Sequence, residues 1–576
     1  MKSIAYFRKG IFSVLVVLLF QATPVKAVIT GEERDSQLQL YGQVWGFLRF
    51  FNPSACSGRA AWDEQLKKDY GRIMQLPDAE FDVFLESFIQ HCSLKDTTYI
   101  RPVPEKGMEL PSFGWMEGSR LNPRMKKELN VIRNHGNSQL HGTFVVSGNA
   151  VPQFLDESLT PYDTLPDAAT RYLALTRFWN IINYFSPSLD LCDHWDEAYR
   201  EYIPRFRNCT SYFQYYQELQ QLAARMHDGH GFLEVFPVNV PKVEPAYKMP
   251  LVLGYGEGKT YIAAVTDTSL LRMHYLQAGD QVLAWNGRKM ENIYDSLLPQ
   301  LSGSNEAFTR EYACRLRLRK TWKEQNSLTL LRAKDTIKVE VTAMKPISLT
   351  SGAESGTTGI SWKRIHDSLS GKDIGYVDVG LIRKKEVEKA FAAFRDLPFV
   401  IIDCRKYPKD AQIKLLNALT PQGGTFEKIL LMNFAYPGTT RWESPEKPGV
   451  LGKLMMRKAL GNPDKHNPNY YKGKVILLVD HLTMSHGEWS VMSFQLAPQV
   501  VTIGTSTAGA DGNMASISLP GGMKVSFTSM GVYYPDGTRT QRKGVHVDIV
   551  VPETIASASG KDVIYQRALD YVRTGK

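Results

Sequence analysis

Apolar residues at helical spacing mark two related stretches of the chain, Leu40–Ser54 and Tyr172–Ser188. Apolar positions that recur every three or four residues predict helices with a buried face. A Trp, a Phe and a Pro also recur at a constant offset: Trp45, Phe51 and Pro53, then Trp179, Phe185 and Pro187. We therefore predict a duplicated helical hairpin, with a first copy in residues 28–160 and a second in 161–244. Residues 95–165 are rich in Pro, Gly and Asn and predict only loops and short strands.

After residue 360 the pattern changes to continuous apolar runs that alternate with helical segments. The predicted strands are Ile374–Val379, Phe399–Asp403, Lys474–Asp480 and Val500–Gly504. Lys385–Phe394 is a predicted helix between the first two strands, and Gly487–Leu496 is another between the last two. Buried strands with helical crossovers indicate a largely parallel α/β core in residues 361–576.

Residues 245–345 show a third pattern, of short strands between turns. Ala278–Gly287 is a turn, a strand and a second turn, and it resembles the signature of PDZ domains. Such a domain binds an extended peptide by adding it as a strand to a sheet edge. A strand followed by an unrelated turn would show a similar pattern. Residues 346–360 are small and polar and predict a linker.

The first 27 residues have the pattern of a secretory signal peptide. Lys2, Arg8 and Lys9 precede a ten-residue apolar run, Ile11–Phe20, and small residues allow cleavage after Ala27. The run is too short to span a bilayer as a helix, and no later apolar run reaches eighteen residues. We therefore expect an exported protein without a stable membrane span, periplasmic or extracellular. The alternative is a buried N-terminal helix.

Composition narrows the functional classes further. The 576 residues are 43% hydrophobic and 22% charged, which is the balance of an ordinary globular protein. The net charge of the whole sequence is +10, and it falls once the basic leader is removed. The one basic patch, at 315–320, is more typical of a solvated face than of a nucleic-acid-binding surface. The six cysteines form no C-x-x-C pair, which argues against a structural zinc site, and a Cys192–Cys209 disulfide stays possible. No metal or nucleotide motif is visible in the sequence, so we expect no metal and no cofactor.

Three segments carry candidate chemistry. His230 follows the helical pattern Tyr212–Met226, where it is either a free base or a surface histidine in a C-cap turn. Ser485 lies between an apolar strand and a helix, where its hydroxyl can be a nucleophile near the helix N-terminus. The alternative is an N-cap serine whose capping box is completed by Glu488. Residues 536–548 by themselves indicate a hairpin turn that leads into a strand.

Together and in order, these segments resemble peptidase family S41, the C-terminal processing and tricorn-core proteases. The matching segments are Asp228–Gly231, Gln277–Gly287, Ile374–Val377, Ile402–Arg405, Thr483–Glu488, Gly504–Gly509 and Asp536–Asp548. The resemblance implies a ClpP/crotonase-like α/β core with an inserted PDZ-like β domain and a helical N-terminal region. It also implies a hydrolase that cleaves peptide or protein substrates in proteolysis.

The family has two branches, which differ in the general base. In the Ser/Lys branch the base is a lysine 25 residues after the serine, and that position holds Ala510. In the tricorn-like branch the base is the histidine of the D-x-H motif, oriented by a glutamate. Here His230 is present, and the glutamate position holds Gln541. The resemblance thus implies that Ser485 attacks and His230 accepts its proton, with Gln541 accepting from the second imidazole nitrogen.

The remaining roles follow from the same resemblance. The backbone N–H of His486 and of the segment after Arg405 would bind the oxyanion, and Asp228 or another acid would compensate for the neutral Gln541. Three positions depart from the family pattern: Gln541, Val547 in place of a proline, and 406–408, where Pro408 has no N–H to donate. These departures leave a catalytically inactive peptide-binding scaffold as the main alternative. A polysaccharide-acting enzyme is a distant third, and the oligomeric state is not determined by the sequence.

Overall fold

The computed structural model describes residues 31–576 apart from 53–58, 109, 119, 136–143, 148–149, 156–163, 237–242, 244, 268–275, 346–358 and 444–466. The expected signal peptide at residues 1–27 and most of the expected linker therefore lie outside the described residues. None of the helices within the described ranges is both long enough and apolar enough to cross a membrane.

The N-terminal half is mainly helical. Its helices are α1 (Gly31–Phe51), α2 (Arg59–Ile73), α3 (Asp78–His91), α4 (Pro123–Asn134), α5 (Ala168–Phe185), α6 (Trp195–Arg207) and α7 (Tyr212–Ala224). One contact occurs in both of the predicted copies. The indole N–H of Trp45 donates to the backbone oxygen of Trp62 at 3.2 Å, and that of Trp179 donates to Trp195 at 2.8 Å. Helices α1 and α5 pack against each other, so the two copies share one aromatic core.

The region 95–165 contains more structure than its composition predicts. A 3-10 helix runs through Pro111–Glu117, and the short strands β1 (Phe144–Val146) and β2 (Pro152–Phe154) pair antiparallel. Helix α4 was not predicted. Asn122 caps it by accepting hydrogen bonds from the N–H groups of Arg124 and Met125, and Pro123 occupies its first turn. The Pro and Asn content of this region predicts loops, whereas Asn122 and Pro123 begin a helix.

A six-stranded antiparallel sheet forms the middle of the chain. Its strands are β5 (Leu251–Gly256), β6 (Lys259–Val265), β7 (Gln281–Trp285), β8 (Arg288–Lys289), β10 (Gln325–Arg332) and β11 (Asp335–Thr342). The order is β11-β10-β7-β6-β5, and β8 pairs with β7. The predicted turn–strand–turn is confirmed at β7, where Asn286 and Gly287 have φ values of 49° and 78°. Beside the sheet lie α8 (Met290–Leu297), α9 (Glu306–Tyr312) and the strand pair β4 (Tyr247–Lys248) with β9 (Lys320–Thr321).

The C-terminal half contains the predicted α/β core. Its sheet has the order β12 (Trp362–Asp367), β13 (Lys372–Asp378), β14 (Phe399–Asp403), β17 (Lys474–Val479), β18 (Val500–Gly504) and β22 (Ile549–Val550). Every pair is parallel except the antiparallel pair of β12 and β13. Helices α10 (Val387–Ala393), α11 (Gln412–Leu419) and α12 (His486–Phe494) share a core with one face. After the short α13 (Ile555–Ala558), α14 (Val563–Thr574) covers the other face.

Two small antiparallel sheets complete the structure. One has the order β16 (Thr440–Trp442), β15 (Lys428–Met432), β21 (Met530–Tyr533). The other has the order β19 (Met514–Leu519), β20 (Met523–Thr528), β3 (Leu233–Val235). Strand β3 follows the 227–231 motif directly, so its pairing with β20 ties that motif to the C-terminal half.

The cysteines that the structure describes are unpaired. Cys92, Cys192, Cys209, Cys314 and Cys404 are all free thiols, and Cys56 lies outside the described residues. The possible Cys192–Cys209 disulfide is therefore not formed here. Burial raises the pKa of the Cys209 thiol to about 11, so this cysteine is a buried side chain rather than a reactive thiolate.

The packing of α1 on α5 predicts opposite effects for two glycine-to-alanine changes. A Cβ at Gly46 would lie 2.0 Å from Cγ of Asn180, whereas one at Gly71 would have nothing within 4 Å. We expect Gly46→Ala to lower the free energy of unfolding by about 1–3 kcal/mol through overpacking. Gly71→Ala should raise it by about 0.4–1 kcal/mol by restricting the unfolded chain. Urea unfolding followed by tryptophan fluorescence measures both, and equal effects would contradict the close approach of the two helices.

Candidate active site

Ser485 occupies a strained turn between strand β17 and helix α12. Its backbone has φ 54° and ψ −128°, whereas an ordinary N-cap residue lies in the extended region with a negative φ. A non-glycine residue with positive φ costs on the order of 1–3 kcal/mol and persists only when its surroundings impose it. The strand–turn–helix setting and this backbone match those of a nucleophilic serine. The expected capping box is also present, because Glu488 completes it at the same turn.

The carboxylate of Glu488 holds this turn in place. Its Oε1 accepts hydrogen bonds from the hydroxyl of Thr507 at 2.6 Å and from the N–H of Gly509 at 2.7 Å. Its Oε2 accepts from the N–H of Ala510 at 2.9 Å and of Ser485 at 3.3 Å. The side chain is completely buried, and burial raises the pKa of Glu488 to about 7. Glu488 therefore connects the serine turn to the loop that follows β18.

Ala510 brings the predicted histidine segment next to the serine turn. The backbone oxygen of Ala510 accepts a hydrogen bond from the N–H of Ser485 at 2.9 Å. A Cβ built on Gly229 would lie 2.8 Å from Cβ of Ala510, so position 229 has no room for a side chain. The N–H of Gly229 also donates to Oγ of Ser304 at 2.7 Å, which fixes the loop. The serine turn and the 228–231 loop, far apart in sequence, thus share Ala510 as a neighbour.

His230 is enclosed rather than exposed at a C-cap. Only 1% of its surface is accessible, and burial lowers its pKa, so the ring is neutral near pH 7. Its Nδ1 lies 2.9 Å from Oγ1 of Thr528 and 3.9 Å from Oδ1 of Asp228. Its Nε2 is buried and has no hydrogen-bond partner among the described residues. An unpartnered buried nitrogen is costly in a merely structural histidine, so it points to a functional role.

The position of Gln541 differs from the expectation. Its amide oxygen was expected to accept from the imidazole, but Oε1 has no partner within the described residues. Its Nε2 instead donates to Oδ1 of Asp228 at 3.4 Å. This orientation follows from the charge of Asp228, because a carboxylate attracts the amide NH₂ group and repels the amide oxygen. Thr528 takes the place beside Nδ1 that was assigned to Gln541.

The expected oxyanion donors lie at the start of α12. The N–H of His486, in the first turn of that helix, has no backbone acceptor among the described residues and lies at the positive end of the helix dipole. The 405–409 segment runs beside it, since Pro408 Cδ is 3.9 Å from the Cβ position of Gly487. Arg405 is held in ion pairs with Asp403 and Asp562, at 2.6 and 2.7 Å, so its guanidinium is not free for substrate.

Sequence reasoning missed two residues of this site. Thr528 ends strand β20 inside an ordinary alternating pattern, so no local signal distinguishes it. Asp511 follows Ala510, and its Oδ2 is buried without a partner among the described residues. Burial, reinforced by the nearby Glu488 carboxylate, raises the pKa of Asp511 well above its usual range. The Gly509–Gly512 turn, which fits the family pattern only as far as Gly509, was the available signal for Asp511.

The donor set does not resemble a metal centre. Within the described ranges, no group of three or more His, Cys, Asp or Glu side chains is arranged to hold a metal ion. The carboxylates of Glu488 and Asp228 instead accept hydrogen bonds from backbone N–H groups and hydroxyls. What they can perform chemically is proton transfer to and from a hydroxyl.

Known proteins resemble the part of the chain that contains Ser485. Residues 373–551 match the sequence model of peptidase family S41. The structure of mature CPAF complexed with lactacystin has a TM-score of 0.54 at 14% identity, over 70% of this chain and 98% of that one. The crystal structure of mature CPAF has a TM-score of 0.54 at 15% identity, over 70% and 96%. At this level of identity the likeness concerns the fold. No curated protein sequence matches the chain.

The hydrogen bonds of Glu488 predict a large effect of its removal on stability. Glu488→Ala would leave two N–H groups and a hydroxyl buried without their acceptor, and it would open a cavity. We expect the free energy of unfolding to fall by about 3 kcal/mol. Glu340→Ala, at an exposed position of β11, should change it by less than about 0.5 kcal/mol. Urea titration of both variants is the measurement, and a Glu488→Ala effect as small as that of the control would contradict the assignment.

Proposed function

Residues 373–551 of this chain form a domain of peptidase family S41, and from that premise we propose that it is an exported serine endopeptidase with Ser485 as nucleophile and His230 as general base. Family membership makes the protein a serine peptidase, a hydrolase that acts on peptide or protein substrates. The identity of the base, the endopeptidase activity and the export are our proposals.

The backbone of Ser485 is the observation that carries the assignment of the nucleophile. A positive φ at a non-glycine residue, imposed by four hydrogen bonds to a buried glutamate, is more than a helix cap requires. In such a turn the side chain projects away from the sheet while the N–H of His486 points toward the same space. This arrangement suits attack on a carbonyl whose oxygen is then stabilised by backbone N–H groups.

The proposed reaction has two steps. Ser485 Oγ attacks the peptide carbonyl while Nε2 of His230 accepts the hydroxyl proton, and the tetrahedral intermediate collapses to an acyl-enzyme. The imidazolium gives its proton to the departing amine. Water then attacks the ester, His230 again accepting and returning a proton, so that the carboxylic acid and free Ser485 are restored. One backbone donor in the oxyanion site is worth about 3–4 kcal/mol in the transition state.

We further propose that residues 245–345 are a PDZ-like module that delivers extended peptides to a ClpP/crotonase-like core. The turn–strand–turn at β7 supports the module, and the parallel order of β13, β14, β17 and β18 supports the core. A cavity of about 550 Å³ is lined both by β5 and by His481 and Leu482, which precede the serine turn. A chain bound along β5 would therefore approach the proposed active site.

Export is proposed from the leader pattern at residues 1–27 alone. The basic start, the ten-residue apolar run and the small residues before position 28 favour cleavage after Ala27. The substrate would then be a peptide or protein in the periplasm or outside the cell. Mass spectrometry of the N-terminus of the protein from its native host tests this proposal.

Labelling with a serine-directed phosphonate tests the nucleophile. We expect the purified protein to gain one phosphonyl group at Ser485, and Ser485→Ala to gain none. Ser490→Ala, at a buried serine of the same helix whose hydroxyl donates to the His486 carbonyl at 2.6 Å, is the matched control and should label like the wild type. Absence of labelling in the wild type at every pH would favour the inactive scaffold.

The pH dependence of labelling tests the base. His230 accepts a proton only when it is neutral, and burial lowers its pKa below the ordinary 6.5. The second-order labelling rate should therefore fall on acidification with a midpoint below pH 6.5 and be flat above it. His230→Ala should remove most of the rate at all pH values. A midpoint near pH 7 would point to Glu488 as the titrating group instead.

A further inference from the structure

We propose that Thr528, backed by Asp228, is the positioning residue that fixes the proton of His230 on Nδ1 and leaves Nε2 free as the base. This inference rests on the proposed role of His230. It gives Thr528 the task that the family pattern gives to a glutamate. Thr528 touches neither substrate nor reacting atoms, so its effect passes through the imidazole.

The donors around Asp228 determine where the hydroxyl proton of Thr528 lies. Asp228 Oδ1 receives the N–H of His230 at 2.9 Å, and Oδ2 receives the N–H of Thr528 at 2.6 Å. A carboxylate that faces these N–H groups has only acceptors to offer. The hydroxyl of Thr528, 2.8 Å from Oδ1, must therefore donate its single proton to Asp228.

The tautomer of His230 follows from this donation. Once the Thr528 proton points at Asp228, Oγ1 has only lone pairs to direct at Nδ1, 2.9 Å away. Nδ1 must then carry the hydrogen, and Nε2 carries the lone pair. Since His230 is only 1% exposed, bulk solvent cannot offer Nδ1 another partner. The resulting chain runs from imidazole to hydroxyl to carboxylate.

The same chain compensates for the neutral residue at position 541. Gln541 donates to Asp228 and has no hydrogen bond to the imidazole, so it acts on His230 only indirectly. The charge of Asp228 lies 3.9 Å from Nδ1, close enough to stabilise an imidazolium that forms during attack. In a catalytic triad one carboxylate supplies both the negative charge and the hydrogen-bond acceptor for the imidazole. Here Asp228 supplies the charge and Thr528 supplies the acceptor.

Three variants of the full-length protein separate a positioning role from a structural one. Thr528→Val removes the hydroxyl at nearly constant volume, and Thr528→Ser retains it. Thr502→Val is the matched control, because Thr502 is also a fully buried strand threonine and its hydroxyl accepts from Gln495. We expect phosphonate labelling of Ser485 to be about 10–100-fold slower in Thr528→Val. Thr528→Ser and Thr502→Val should stay within about threefold of the wild type.

Nitrogen-15 NMR of histidine-labelled protein supplies a readout that does not depend on activity. In the wild type, Nδ1 of His230 should have the shift of a protonated nitrogen and Nε2 that of an unprotonated one; the signals are assigned by their loss in His230→Asn. Thr528→Val should shift this balance toward the other tautomer, and Thr528→Ser should restore it.

The outcomes distinguish the inference from the function on which it rests. An Nε2-protonated ring in the wild type, equal rates in Thr528→Val and wild type, or equal losses in Thr528→Ser and Thr528→Val would each overturn the role of the hydroxyl. If the wild type never labels but its tautomer depends on Thr528 as expected, the positioning of His230 stands and the peptidase mechanism fails. If Ser485 labels normally and the tautomer of His230 does not change in Thr528→Val, the mechanism stands and this inference fails.

Discussion

The buried carboxylate of Glu488 is the interaction on which the site depends. It accepts hydrogen bonds from the N–H of Ser485 and from the N–H groups of Gly509 and Ala510, so it joins the serine turn to the loop after β18. A strained serine backbone relaxes unless rigid neighbours hold it, and four donors to one side chain provide that rigidity. The cost is a charge in a dry environment, which is why burial raises the pKa of Glu488 to about 7.

The helical half and the α/β half meet at this point. The 228–231 loop leaves helix α7 of the second hairpin and enters strand β3, which pairs with β20 of the C-terminal half. Gly229 allows the loop to pack directly on Ala510, where any larger residue would collide. Only the second hairpin ends in this motif. The first hairpin keeps the Trp45–Trp62 contact, and its visible contribution is the packing of α1 and α2 against α5.

A hydrogen-bonded chain through Thr528 is a different solution from a direct histidine–carboxylate pair. The hydroxyl both donates and accepts, so it passes on the orientation of Asp228 without transferring its charge. The imidazole then depends on two segments that are far apart in sequence, strand β20 for the hydroxyl and the 228–231 loop for the acid. Such a site is sensitive to the packing of the two halves, because a shift between them separates the imidazole from its acceptor.

Much of the fold could be predicted from sequence because it depends on local periodicity. The four parallel strands of the core were predicted to within about two residues of β13, β14, β17 and β18, and the N-terminal region is helical, as its apolar spacing predicts. Helix α4 was missed, although Asn122 and Pro123 are a cap and a first-turn residue. Composition did not indicate this helix, because Pro and Asn are typical of loops. They indicate a helix start only when Asn is the cap and Pro follows it in the first turn.

The sequence by itself determined which residue types are available: a serine after a buried strand, a histidine in a D-x-H motif, an alanine where a lysine would serve and a glutamine where a glutamate would serve. Only the tertiary structure decided how they are combined. It placed Ala510 between the two motifs, turned Gln541 toward Asp228, and brought Thr528 to Nδ1 of His230. Hydrogen-bond partners separated by some 300 positions leave no periodic signal, because their contact results from the docking of whole elements and not from the local chain.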